Sequence, residues 1–244
     1  MKKIAFVPIP RNASGSVRRS LEKRKNFYTY DCLGNIKFDS DPTLHLSREQ
    51  SSWKYTQQQL EVENVDWNTT KKFAVIRNPW SRVVSMYYHD TANFANQDFA
   101  GFLRSLPSIA LGKVRLGADR RTVFMPLPSV KLKYPAGSTW HPDRARFQYH
   151  VLPQYCHFTD SKNRLVLDCL IRYENLDQGL NDFLLSHGHA TVDLPKYNYS
   201  AMNKSRIGRS TQKHYSEYYT EAWMIDLVEA LYKTDVELGN YTFN

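Results

Sequence analysis

The 244-residue chain is poor in cysteine, with three, and has no apolar run that approaches a membrane span. Each absence excludes something. Cys32, Cys156 and Cys169 are odd in number and far apart, without the close pair of a zinc knuckle or a redox dithiol, so reduced structural thiols are expected. Ile4 to Ile9, the only early apolar stretch, is interrupted by Pro8 and falls well short of the roughly 18 residues a bilayer requires. A soluble, cytoplasmic protein without a membrane partner is the expectation. The eight histidines form no His-Glu-x-x-His spacing, so no metal is expected. There is no internal repeat, and no Gly-x-x-x-x-Gly-Lys-Ser/Thr loop, which removes support for ATP hydrolysis.

What is present is the composition of a folded protein, 41% hydrophobic and 14% aromatic, long enough for one large domain or two small ones. The net charge of +9 favours an anionic partner, which a nucleotide, an acidic polysaccharide or nucleic acid would satisfy. No zinc-finger pattern, aromatic recognition sheet or clustered basic helix stands out, so nucleic acid is not the expected partner.

Along the chain, short apolar runs alternate with helical patterns. Ile4 to Ile9 reads as a buried strand feeding the turn Pro10-Arg11-Asn12-Ala13-Ser14-Gly15-Ser16. Ser14 or Ser16 is the expected cap of a helix through Val17 and Leu21. Ser47 and Gln50 have capping-box spacing ahead of a helix with Trp53 and Leu60, which sets His45 just before a helix start. Phe73 to Ile76 reads as a second strand, and Asn78-Pro79 supplies a cap and first-turn proline to a helix carrying Val83, Val84, Met86 and Tyr87. A weaker helical pattern follows between Asn93 and Leu106, and the Pro- and Gly-rich stretch within Gly112 to Asp143 reads as loops over one face. Arg164 to Tyr173 is a further strand candidate, followed by a helix closing near Gly188. A final helix capped by Thr220 packs Trp223, Leu227, Val228 and Leu231. The alternation gives a mostly parallel α/β fold, with ligands beyond the strand C-terminal ends.

Two of those ends carry chemistry. A helix N-terminus presents unpaired N–H groups, and the small Ala13, Ser14 and Gly15 would let an anion approach, with charge from Arg11 and donors from Ser14 and Ser16. The alternative is a capped turn whose arginines face water. Arg77 emerges from the second strand, and Ser85, two helical turns on, shares its side, so a second anion would be clamped there. The pair points to a ligand with two separated phosphate-like groups.

These residues resemble the sulfotransferase superfamily, in particular its carbohydrate O-sulfotransferase branch. Ile9-Pro10-Arg11-Asn12-Ala13-Ser14-Gly15-Ser16 stands in place of that family's Ile-Pro-Lys-Thr-Gly-Gly-Thr-Ser loop. "IRNPWSRVVSMYY" resembles its 3'-phosphate element, Val-Arg-Asp-Pro, a bulky residue and then Arg-(x)2-Ser. "HVLPQY", "RYENLDQGLNDF" and the C-terminal "HYSEYYTEAWMIDLVEALYKTDVELGNYTF" look like its later sheet segment and closing helix. The resemblance runs from Phe6 to Phe243 and is poorest in the central loops. It implies one domain over 1–244 with a loop-rich insertion at about 94–140, and a three-layer sheet flanked by helices with a P-loop-like nucleotide-binding core.

It also implies a reaction, transfer of a sulfuryl group from 3'-phosphoadenosine 5'-phosphosulfate to an acceptor hydroxyl, with a glycan as the expected acceptor. By the same resemblance Arg11 contacts the bridging and 5'-phosphate oxygens, and Arg77 and Ser85 hold the 3'-phosphate. Arg11 replaces a lysine; its planar fork clamps oxygens but is the poorer proton donor. His45 is the preferred base, with an ordinary pKa near 6.5, and His150 and Glu49 are the alternatives. Arg206 and Arg209 in "NKSRIGRS" either reach phosphate or lie in a solvated loop. Glu174 reads as packing and capping support. The rival functions are a Mg²⁺-dependent phosphoryl transferase and a noncatalytic nucleic-acid-binding protein.

Overall fold

In a computed structural model the described residues are 1–30, 52–89, 98–110, 149–160, 162–194 and 213–244. Among them the chain runs β1 (Ile4–Phe6), α1 (Ser14–Leu21), β2 (Phe27–Thr29), α2 (Ser52–Val62), β3 (Lys71–Ile76), α3 (Pro79–His89) and α4 (Phe99–Ala110). It continues through β4 (Cys169–Arg172), α5 (Leu176–Ser186), α6 (Ala222–Leu231) and α7 (Lys233–Gly239). The strands form one parallel sheet in the order β2-β1-β3-β4, with Ile4 opposite both Phe27 and Lys71, and Phe73 opposite Cys169.

Period-two alternation sorts the strand side chains onto two apolar faces. Ile4, Phe6, Phe73, Val75 and Ile171 pack against Val17 and Leu21 of α1 and Leu180, Phe183 and Leu184 of α5. Ala74 and Ile76 face the opposite way, toward α3, α4 and α6, while Ala5 meets Leu60 of α2. Helices on both faces of a parallel sheet make three layers, as expected. Because α1 leaves β1 on one face and α3 leaves β3 on the other, a crevice opens beyond the adjacent C-terminal ends of β1 and β3. That is where "PRNAS" and "RNPWS" lie.

Several local expectations need correction. β1 stops at Phe6 rather than Ile9: Val7 still donates to the Phe73 carbonyl, but Pro8 and Pro10 have no N–H with which to continue a ladder. Neither Ser14 nor Ser16 caps α1. The cap position is Ala13, in the left-handed region and without a side-chain bond, and the Ser14 hydroxyl donates back to the Ile9 carbonyl. Arg164 to Tyr173 yields only the four-residue β4, because the Asp160 carboxylate gathers the N–H groups of Lys162 and Arg164 into a turn that leaves Leu165 exposed. "HVLPQY" is not sheet: residues 149–151 are helical and Gln154–His157 form a 3₁₀ turn. The final helix starts after Glu221, not Thr220, and breaks at Tyr232, whose hydroxyl donates to the Val151 carbonyl, before α7 begins.

Other expectations match. Asn78 caps α3, its Oδ1 accepting the Ser81 N–H at 3.2 Å, and α5 is followed by Gly188 at φ 79°. Trp53 is half-buried and Leu60 buried on α2, but the Ser47–Gln50 capping pair lies outside the described residues.

Candidate functional site

The turn after β1 breaks local rules. Arg11 and Ala13 both adopt the left-handed region, at φ 68° and 58°, without the glycine that makes it inexpensive. Tertiary contacts hold it there. Asn12, fully buried, donates from Nδ2 to the Val75 carbonyl at 2.7 Å and to Gln154 Oε1 at 2.6 Å. Arg82, also buried, donates from Nε to the Pro10 carbonyl at 3.2 Å, from Nη1 to that of Leu152 at 2.9 Å and from Nη2 to that of His150 at 2.8 Å. The αL backbone at Ala13 opens directly onto the first turn of α1; the Ser16 and Val17 N–H groups bond the Ala13 carbonyl at 3.0 and 3.1 Å, and those of Ser14 and Gly15 lead the helix ahead of them.

Arg11 and Arg77 converge above these ends. The Arg11 guanidinium donates from Nε and Nη2 to Ser85 Oγ, at 3.2 and 2.8 Å. That of Arg77 donates from Nε and Nη2 to Ser81 Oγ, at 3.0 and 2.8 Å, and from Nη1 to the Arg11 carbonyl at 3.2 Å. Two planar forks thus lie side by side, each closing on a hydroxyl from successive turns of α3. The Tyr173 ring stacks 4.5 Å from the Arg77 guanidinium carbon. Burial pulls the Arg77 pKa down, with Tyr173, Glu174 and Tyr241 opposing; an arginine starts high enough to stay charged.

Gln154 joins the two loops. Its Oε1 accepts from the Arg77 N–H at 2.9 Å and from Asn12, while its Nε2 donates to the Arg77 carbonyl at 2.9 Å. The opposite amide orientation would set NH₂ against two donors, so the donor set fixes the rotamer. The 3₁₀ turn bearing Gln154 is held by Asp235, whose two carboxylate oxygens accept the N–H groups of Gln154 and Tyr155 at 2.7 and 2.8 Å. Burial raises the Asp235 pKa to about 6, against the opposing pull of Arg82 and of those N–H groups. Glu174 acts as the support expected of it: Oε1 accepts the Asn78 N–H at 2.8 Å and Oε2 accepts the Tyr241 hydroxyl at 3.2 Å.

Of the residues singled out in the sequence, Arg11, Arg77 and Ser85 come together, although Ser85 bonds Arg11 while Ser81 takes Arg77. Asn12 points inward, and the Ser14 hydroxyl is committed to the Ile9 carbonyl. Gly15 and Ser16 are half-buried in the first turn of α1. His150 is buried, 4% exposed, and its carbonyl rather than its ring is what bonds Arg82. His45, Glu49, Arg206 and Arg209 lie outside the described residues. A second buried group was not anticipated: Ser52 Oγ, at the start of α2, lies 2.6 Å from the Tyr149 hydroxyl and 3.0 Å from His157 Nδ1. Burial, with help from Arg82 and His150, holds the His157 pKa well below its ordinary value, so the ring is neutral.

Among the described residues no group of three His, Cys, Asp or Glu side chains could hold a metal ion, and no helix is long and apolar enough to cross a membrane. A family model described as "Sulfotransferase family" matches residues 1–242. No curated protein and no solved structure matches the chain.

Proposed function

Because the chain belongs to the sulfotransferase family, we propose that it transfers a sulfuryl group from 3'-phosphoadenosine 5'-phosphosulfate to an acceptor hydroxyl, with a carbohydrate as the acceptor. The observation that carries this reading is the pair of adjoining guanidinium forks, Arg11 on the β1 turn and Arg77 at the β3 end. A donor with a 5'-phosphosulfate and a 3'-phosphate on the same sugar needs two anion sites one ribose apart. Phosphate oxygens are stronger acceptors than the serine hydroxyls on which the forks now close.

In the transfer, the acceptor oxygen forms a bond to sulfur as the bond from sulfur to the 5'-phosphate oxygen breaks, and adenosine 3',5'-bisphosphate departs. Arg11 and the first N–H groups of α1 stabilise charge on the sulfuryl and departing oxygens. Arg77 binds the 3'-phosphate together with Ser85, one helical turn beyond the Ser81 hydroxyl on which Arg77 now closes. Arg206 and Arg209 add phosphate contacts from the basic loop. His45 takes the proton of the acceptor hydroxyl.

Calorimetry with adenosine 3',5'-bisphosphate tests the reading. Arg77→Ala should weaken binding by about a hundredfold, as expected for losing a charged, two-bond contact. Equal affinity of the wild-type protein for adenosine 5'-monophosphate, which lacks the 3'-phosphate, would remove the clamp. In a labelled-donor assay over a panel of hydroxyl acceptors, His45→Ala should lower turnover while leaving bisphosphate affinity near wild type.

A further inference from the structure

We propose that Gln154 is the positioning residue that sets discrimination for the donor's 3'-phosphate, acting through Arg77; this rests on the reading of Arg77 as the 3'-phosphate ligand. The side chain touches neither anion site. It grips the Arg77 peptide from both sides, accepting its N–H and donating to its carbonyl, each at 2.9 Å. Those bonds fix the backbone from which the Arg77 guanidinium projects. The same Oε1 receives Asn12 Nδ2 at 2.6 Å, so the β1 turn and the β3 end are registered against one amide.

The amide is itself immobile. Gln154 is 1% exposed, and its own backbone N–H, with that of Tyr155, is held by the Asp235 carboxylate. Each polar atom of its side chain is satisfied. An apolar side chain of similar size would leave a buried N–H and a buried carbonyl on Arg77 without partners, and the peptide would turn to recover them. The guanidinium would then be displaced while its charge remained.

The two contacts make separable predictions. Gln154→Met should reduce the ratio of affinities for adenosine 3',5'-bisphosphate over adenosine 5'-monophosphate by about tenfold, the scale of losing its paired hydrogen bonds, with the monophosphate affinity little changed. Asn12→Ala, which frees the β1 turn and leaves the Arg77 grip in place, should weaken both nucleotides together and preserve the ratio. In an Arg77→Ala background, Gln154→Met should lower the ratio no further, because the residue it acts through is gone. If Gln154→Met does not fold, Gln154→Glu retains the accepting contacts, loses the donated one, and should lower the ratio in the same direction.

An unchanged ratio in a folded Gln154 variant overturns the proposal and leaves the 3'-phosphate reading standing. So does equal loss of both nucleotides, the result of a merely structural role. A wild-type protein with no preference for the bisphosphate overturns the reading and the proposal together.

Discussion

The loops after β1 and β3 do the same job, turning a strand into a helix beside the same crevice, but they reach it by opposite means. The β3 loop supplies its own cap: Asn78 caps α3 through its own side chain, and Pro79 occupies the first helical position, where its missing N–H costs nothing, while Gln154 and Glu174 brace the backbone of Arg77 and Asn78 from outside. The β1 loop has no side-chain cap and two non-glycine residues in the left-handed region, and is held by Asn12, Arg82 and Gln154. Both loops have distant braces, but only the β3 loop has its helix start written in its own residues; the β1 turn takes its shape from neighbours in space. The β1 loop is therefore the sensitive one, since a change far along the chain alters it.

The most severe way to break that asymmetry is Arg82→Met. It strips hydrogen bonds from the buried carbonyls of Pro10, Leu152 and His150, and should cost about 3 kcal/mol or more in urea denaturation. A loss below about 1 kcal/mol, the average for an arbitrary substitution, would mean that the β1 turn stands by itself. Asn78→Ala removes the cap of the other loop and should cost about 1 kcal/mol, a local effect that leaves the β1 turn intact. If it proved as costly as Arg82→Met, the contacts of Asn78 with Tyr215 and Thr242, rather than its cap, would govern the β3 loop.

The smallest expected change is a gain. At φ 58° alanine is disfavoured by about 1 kcal/mol or more, while glycine loses more entropy on folding. Ala13→Gly should stabilise by about 0.5 kcal/mol, read as a rise in the urea midpoint. A decrease would show that the turn carries no strain at Ala13.

The same division explains what could be read from residues alone. Asn78-Pro79 announces its helix, so α3 and the C-terminal end of β3 were legible because their determinants are adjacent, although β3 begins at Lys71 rather than Phe73. The alternation that places Phe73 and Val75 on one face and Ala74 and Ile76 on the other was equally accessible. β1 and its turn were harder, since the conformation of Arg11 and Ala13 is imposed by groups 63 and 142 residues from Asn12. The apolar periodicity that merged α6 with α7 carries no mark of the Tyr232 hydroxyl reaching Val151.

In the site, Arg11, Arg77 and Ser85 were found because motif and charge both point to them. Ser81 had a usable signal: four residues after Arg77, at the start of a helix, it falls within the reach of that side chain. Arg82 had a signal as well, being the arginine of the Arg-Val-Val-Ser run that ends at Ser85. Gln154 and Asp235 lie in segments that carry the family resemblance, but nothing in the residues marks their role. Their importance comes from burial and from a bonding pattern that exists only once the sheet is assembled.

The bond between Asn12 and Gln154 spans 142 residues, and the one between Gln154 and Asp235 a further 81. Contacts of such sequence separation close late, because the entropy of the intervening chain must be overcome before they form. During synthesis, β1 and the whole of "PRNASGS" emerge first and Val75 and Arg82 follow, yet the last brace, Gln154 held by Asp235, is complete only after the ribosome has released Asp235. Under the proposed function, binding of adenosine 3',5'-bisphosphate would then report the completion of folding: a nascent chain halted before α7 should have Arg11 and Arg77 and still lack the brace that Asp235 gives Gln154.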